Sequence, residues 1–411
     1  MENKLRIAIF TECFYPGTGG AEKAVECLAN TFVDLGHEVM VCAPKYWDCE
    51  ERGQYICNRT KSIKVAKNSF LPRPGKSKEF KQKLDEFNPQ IIHCNGNNAM
   101  LSFAVKYGKK HNIPVVYTAH TKLKMYVETK LHSKLLAKIF VKWVGKKIKK
   151  CAKITAVSQS MRGEFDSYGY KDKFEVIKNG CTFNKVDVND ELKQIAQTKY
   201  NISENDNILL FVGHVETCKN IYFIFDALKK LHANYKNFKM IFVGSVDEKK
   251  FKKRVEKSEI SENVMFTGQI TDRNLLSSLY ANTKLFLFPS IFDNDSLAII
   301  ESAVHGVPSM VLKDTGSSER ITDEYNGFIV DSVDDMANKI EKLLNEKSKI
   351  TTVGQNACQS LPQDWSIAGK KYIELFNSIL SKNHKEWPCD FFIFVLFCLC
   401  SFLTFFVFEY S

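Results

Sequence analysis

A pattern of strand and helix that runs, lapses and restarts limits this chain to few folds. Short apolar runs at 5–10, 38–43, 91–94, 115–118, 154–157 and 175–177 alternate with helix-like segments at 21–35, 77–86, 100–109 and 131–149. After Asn179-Gly180 the order loosens into a polar stretch at 186–207. Strand-like runs resume at 208–212, 239–243, 264–266, 285–288, 309–312 and 327–330. Helix-like segments at 220–232, 249–258, 273–281, 296–305 and 333–344 separate them. Such alternation means parallel strands joined by right-handed crossovers. At 411 residues the chain also exceeds one ordinary core. The expectation is an α/β protein with two Rossmann-like, doubly wound domains facing a cleft. Their predicted limits are 1–182 and 207–362, with a linker at 183–206 and a helix at 363–386 returning to the first domain. Sheets of this type bind ligands beyond the carboxyl ends of their strands.

The segment 284–308 carries the most chemistry. An apolar run ends at Pro289-Ser290, a loop follows with Asp293 and Asp295, and Ser296 opens a helical pattern that stops at Gly306 before Pro308. A helix start there offers the free N–H groups of Ser296 and Leu297 to an anion. A phosphate on those amides, hydroxyls on Glu301 and Asp293 facing beyond would suit a nucleotide sugar. Other strand ends carry matching chemistry. Gly19-Gly20 precedes the first helix, where backbone amides can approach an anion. His120 follows the strand at 115–118, and His214 and Lys219 follow the strand at 208–212. A lysine so placed reaches a diphosphate as a point charge.

Together these residues resemble the retaining glycosyltransferases of family 4, in a bacterial branch. Members usually read Pro-Ser-x-x-Glu-Gly-Phe-Gly, then a helix with a second Glu and a Gly-x-Pro stop; here Asp293 stands at the first Glu and Glu301 at the second. Tyr15-Pro16-Gly17-Thr18-Gly19-Gly20-Ala21-Glu22 and Leu35-Gly36-His37-Glu38-Val39 are similar to the family's opening loop and second strand. Ala156-Val157-Ser158 and Val176-Ile177-Lys178-Asn179-Gly180 are further landmarks, and the likeness spans roughly residues 5–375. The resemblance implies the GT-B fold and transfer of a hexosyl unit from a nucleoside diphosphate sugar to a hydroxyl acceptor, with retention. A glycolipid, a lipid-linked glycan or a cell-envelope glycan is the acceptor class. It assigns His120 and Asp293 to the transferred sugar, Glu301 to the ribose, Gln269-Ile270 to the base, and Lys219 with His214 to the diphosphate. It calls for no cofactor and no metal. Where His214 stands the family usually has Arg, and Asp293 is shorter than Glu. Those two departures motivate the alternative, a weakly active homologue that binds nucleotide sugar or partner proteins without turnover.

Charge and hydropathy bear on location. The net charge of +11 favours anionic surfaces. The thirteen cysteines form no Cys-x-x-Cys pair and suit a reducing compartment. In the segment 131–150, Lys134, Lys138, Lys142 and Lys146 recur every four residues beside an apolar face, as in a helix lying on anionic lipid. Its aromatics, Phe140 and Trp143, fall on the apolar face and do not interleave with the lysines, which argues against nucleic acid. Residues 391–408 lack any charge and as a helix would span about 27 Å, near the ~30 Å hydrocarbon core. The tail 387–411 is therefore a candidate transmembrane helix. With Lys382 and Lys385 before it, the expected location is the cytoplasmic face of a membrane.

Overall fold

The computed structural model describes residues 4–15, 19–46, 53–66, 69–131, 133–183, 186–246 and 251–382. The chain divides into two compact units, Met1–Gly180 with Asp364–Ser411, and Cys181–Gln363. The first contains, in order, β1 (Arg6–Phe10), α1 (Gly20–Asp34), β2 (Glu38–Pro44), β3 (Ile56–Thr60), β4 (Ser62–Ala66), β5 (Ser69–Pro72) and α2 (Lys78–Phe87). It continues with β6 (Ile91–Cys94), α3 (Ala99–His111), β7 (Val115–Ala119), α4 (Leu123–Leu131), α5 (Lys134–Ile148), β8 (Lys153–Ala156), α6 (Met161–Ser167) and β9 (Glu175–Val176). Its sheet is parallel in the order β3-β2-β1-β6-β7-β8-β9, and β4 and β5 form a separate antiparallel hairpin.

Strand residues alternate between the two sides of this sheet. Ala8, Phe10, Ile92, Cys94 and Tyr117 join α2, α3 and α5 in one core. The intervening His93 lies against Tyr372 and Phe376 instead. Burial holds the His93 imidazole neutral, pulling its pKa to about 3, and its Nε2 pairs with Thr118 Oγ1 at 2.7 Å. Helices α2 and α3 stop at Asn88 and Asn112, both in left-handed conformation at φ 48° and 54°, a role asparagine fills without a Cβ-branch penalty.

The second unit contains α7 (Asp190–Tyr200), β10 (Ile208–Val212), α8 (Ile221–Asn234), β11 (Lys239–Val243), α9 (Lys253–Glu256), β12 (Val264–Gly268), α10 (Arg273–Ala281) and β13 (Thr283–Phe288). It ends with α11 (Leu297–Val304), β14 (Ser309–Leu312), β15 (Phe328–Val330), α12 (Val333–Asn345) and α13 (Lys347–Ser360). Its parallel sheet runs β12-β11-β10-β13-β14-β15. Helix α14 (Trp365–Lys382) packs on α1 in the first unit, where a Cβ on Gly369 would stand 2.5 Å from Thr31 Cγ2.

Three local readings change. The polar stretch predicted as a linker contains α7, capped by Asn189 Oδ1 on Leu192 N–H and packed on α10 through buried Ala196. Its low apolar content hid a helix that buries only a narrow stripe. The predicted helix at 131–149 is shorter, and Ser133 caps α5 after a break from α4. Strands β3, β4 and β5 were not expected. Among the described residues no helix is long and apolar enough to cross a membrane; the tail 387–411 lies outside the described residues.

Candidate functional site

In the second unit, β10 and β13 are neighbours whose crossovers leave in opposite directions, which makes their carboxyl ends the topological switch point. The chain leaving β10 passes Gly213 and makes a short turn to Lys219. Asn220, left-handed at φ 59°, then starts α8 and donates to Pro289 O at 3.2 Å. The chain leaving β13 turns at Pro289-Ser290 into the loop of Asp293. Lys219 Nζ reaches both Asp293 oxygens at 2.7 Å. Ser290, fully buried, donates to Asp293 Oδ2 and accepts from the N–H groups of Phe292 and Asp293 at 3.3 and 3.4 Å. Burial pulls the Lys219 ammonium toward neutrality, but the charge and hydrogen bonds of Asp293 outweigh it, so its pKa is raised and it stays charged. A permanent cation held by one exchangeable carboxylate is thus set at the switch point.

Three adjacent strands deliver glycine to this edge. Gly213, Gly244 and Gly268 follow β10, follow β11 and end β12, with φ of 149°, 136° and 73°. A Cβ on Gly244 would lie 1.9 Å from Gly213 O, so only glycine lets these backbones pass. Gly213 N–H bonds Val243 O and Gly244 N–H bonds Gly268 O, both at 2.9 Å. His214, exposed on this shelf, pairs through Nδ1 with Ser245 Oγ. Gln269 is exposed beyond Gly268, and Ile270 rests against the core.

Ser296 is the N-cap of α11, whose first residue Leu297 is buried. One turn on, Glu301 Oε1 accepts from the Thr182 hydroxyl, and Tyr280 OH lies 3.5 Å from Oε2. Burial first, then the Glu301 charge, pushes the Tyr280 hydroxyl well above its ordinary pKa, so it remains a donor. Tyr280 stacks on His305 at 5.0 Å. His305 Nδ1 meets Glu301 O at 2.7 Å, so its proton sits there and Nε2 accepts from Ser277. A groove of about 690 Å³ lined by Thr182, Phe183, Arg273, Asn274 and Ser277 opens beside this cluster.

The remaining expected residues belong to the first unit. Gly19 caps α1 and Gly20 begins it; a Cβ on Gly19 would meet the Glu22 carboxylate at 2.3 Å. His120 Nε2 pairs with Asn95 Oδ1 at 2.7 Å, across the ends of β7 and β6. Glu12, after β1, accepts from the N–H groups of Asn98 and Met100 at 2.8 Å, capping α3 across that unit's own switch point. Burial pushes its carboxyl to about 7 against those hydrogen bonds. Sequence reasoning passed over Glu12, Ser245, Thr182 and Tyr280. Of these only Gly244-Ser245 left a signal, because it repeats Gly213-His214 one strand over.

Two family models match the chain: "Glycosyl transferases group 1" over residues 193–360 and "Glycosyltransferase Family 4" over residues 18–184. An alpha-monoglucosyldiacylglycerol synthase of Acholeplasma laidlawii is 21% identical over 404 residues, covering 93% of this chain and 99% of that protein. A GDP-mannose-dependent alpha-mannosyltransferase of Corynebacterium glutamicum is 24% identical, covering 80% of this chain and 78% of its own. Anabaena HepE in complex with UDP and glucose superposes with a TM-score of 0.72 at 18% identity, covering 91% of this chain and 100% of that one. Sucrose-phosphate synthase of Thermosynechococcus elongatus gives 0.76 at 17% identity, covering 92% and 100%. At such identities the structural likeness is one of fold, two Rossmann-like domains of the GT-B type.

Proposed function

The chain belongs to glycosyltransferase family 4, and from that premise we propose that it moves a hexosyl unit from a nucleoside diphosphate sugar to an acceptor hydroxyl with retention of configuration. The acceptor is a glycolipid, a lipid-linked glycan or a cell-envelope glycan, met at the cytoplasmic face of a membrane. The observation that carries this reading is the charged Lys219 held by Asp293 across the switch point. A diphosphate arriving there gives the ammonium a second acceptor. Lys219, His214 and the amides of Ser296 and Leu297 then oppose the negative charge that grows on the leaving diphosphate, so no metal or cofactor is invoked. Asp293, released from sole custody of the lysine, turns to the sugar. Glu301, fixed by Thr182 and Tyr280, accepts from ribose hydroxyls, while Gln269 and Ile270 meet the base.

In the first unit, Gly19 and Gly20 offer amides at the start of α1, and His120 addresses the transferred sugar. The acceptor hydroxyl attacks on the face the diphosphate leaves, and a diphosphate oxygen takes its proton. Support for retention comes from relatives named for alpha-linked products, the configuration in which nucleoside diphosphate glucose and mannose carry their sugar. Incubation with a panel of UDP-, GDP- and ADP-sugars tests the proposal through hydrolysis and thermal shift, with Glu301→Gln as the comparison. One donor should be hydrolysed and should raise Tm, and Glu301→Gln should bind it less tightly. A shift without hydrolysis would make the chain a binding homologue, and neither response to any donor would sink the reading.

A further inference from the structure

We propose that one face of the first unit docks on an anionic lipid bilayer, through α5 and the β4–β5 hairpin on either side of α3. Charge is divided unevenly along the chain. Residues 52–163 hold 25 lysines and arginines against four acids, a net of +21, while everything outside that stretch sums to −10. Charge asymmetry of this size marks a surface meant for a polyanion.

Folding gathers these cations on one side. Helices α2, α3 and α5 bury Phe80, Leu84, Met100, Ala104, Val141 and Val144 in one core against the same side of the sheet, so their other faces meet solvent together. Helix α3 packs on α5, and also on β5 and the turn that follows it. Exposed lysines cross the whole layer: Lys61 and Lys64 on the hairpin, Lys106 and Lys110 on α3, Lys138 and Lys142 on α5. Three of the four acids are engaged locally, Glu79 with Lys83 at 3.0 Å, Asp85 with the Tyr107 hydroxyl at 2.7 Å and Glu86 with Gln82 Nε2 at 2.9 Å.

Large apolar side chains stand among the lysines. Leu135 is 68% exposed, Ile139 50% and Ile63 41%. Leu135 and Ile139 sit one turn apart on a helix that carries five lysines and no acid. A lipid headgroup boundary accepts both kinds of group, ammonium at phosphate level and aliphatic carbon just beneath. A nucleic acid would answer the charge, but a single strand needs aromatic platforms for its bases. Among the described residues the exposed large hydrophobics include one aromatic, Tyr325, in the other unit.

The inference stands apart from the transfer chemistry and is tested apart from it. Full-length protein is floated with phosphatidylglycerol–phosphatidylcholine vesicles and with pure phosphatidylcholine vesicles, at low and high salt. Three variants are compared: Lys138→Glu with Lys142→Glu, Lys61→Glu with Lys64→Glu, and Leu135→Ser with Ile139→Ser. Wild type should prefer the anionic vesicles and lose that preference in salt. Each lysine pair should lower partition at least roughly thirty-fold, since about 1 kcal/mol is lost per basic side chain near an anionic surface and the glutamates add repulsion. The serine pair should weaken binding to anionic vesicles while leaving its salt sensitivity. Melting curves confirm that each variant is folded, and donor hydrolysis in free solution, unchanged in all three, reports separately on the transferase reading. All forms share residues 387–411, so any contribution of that tail is common to them, and wild type that floats no better than the lysine-pair variants on anionic vesicles would overturn the proposal. So would a hairpin variant that floats like wild type, or short duplex RNA that strips wild type from anionic vesicles.

Discussion

Asp293 and Asp295 stand two residues apart in one loop, and each presents both oxygens to a cation, yet the two pairs are built differently. Asp295 meets the fork of Arg320 through Nε and, at 2.9 Å, Nη2, with side-chain exposures of 2% and 9%. Arg320 is tied again to Leu361 O at 3.2 Å, and Gly316 lies so close that a Cβ would sit 2.5 Å from Asn294 Cα. The planar guanidinium fits one bidentate geometry and is held in it by the carboxylate and the Leu361 carbonyl together. Asp293 meets the single Nζ of Lys219, at exposures of 20% and 16%. An ammonium has three donors on a flexible stem and can share itself with an incoming anion. One acid bolts the loop to α13's end; its neighbour holds a cation in readiness.

That contrast breaks first under Asp295→Ala. Removing one partner of a buried pair leaves Arg320 uncompensated, an expected loss of about 3–5 kcal/mol. Denaturant unfolding should show it directly, and a variant as stable as wild type would return Asp295 to the surface class. Lys219→Ala is the next largest effect, and it should fall on turnover rather than on folding. One donor aimed at a developing anion is worth about 3 kcal/mol, so kcat/KM should drop by two orders of magnitude or more while Tm barely moves. Near wild-type turnover would remove Lys219 from the site.

Ser290→Ala sharpens the comparison at smaller amplitude. It deletes the hydrogen bond that aims Asp293 and strips two loop N–H groups of their acceptor. A roughly tenfold fall in kcat is expected, at about 1.4 kcal/mol, with Ser290→Thr recovering part of it. A change confined to stability would make the serine a plain turn residue. Glu12 provides a third carboxylate, held by backbone amides at the start of α3. Burial raises its native pKa to about 7 from 4.5, so the native state binds the proton more tightly than the unfolded chain. Its contribution is complete below pH 4.5 and is lost as pH rises through 7. Glu12→Gln should flatten that part of the Tm-versus-pH curve, and an unaltered curve would show that the α3 amides keep the carboxylate charged.

Much of the candidate site is legible in the sequence, because strand ends announce themselves. An apolar run followed by Gly, Pro-Ser or a lone polar residue marks a carboxyl edge, and in parallel sheets ligands collect there. Gly19, His120, His214, Lys219 and the 289–301 segment are candidates on that ground. The partners of those residues were not. Thr182 bonds Glu301 across 119 positions and Tyr280 approaches it from α10; neither carries a pattern of its own, since a hydroxyl on a buried helix face looks like core. Helix α7 escaped for the opposite reason, its buried stripe being too thin to register as periodicity.

The sequence alone determined the layered α/β architecture, the doubling of the sheet, the family and the strand ends that carry chemistry. Those depend on the period of apolar residues and on glycine and proline, properties of short windows. Tertiary structure alone decided which of two neighbouring acids is a bolt and which a holder of charge. It also decided that lysines from a hairpin and two helices share one face. Both follow from contacts between residues far apart in the chain, where burial and distance, not spacing, set the strength of every charge.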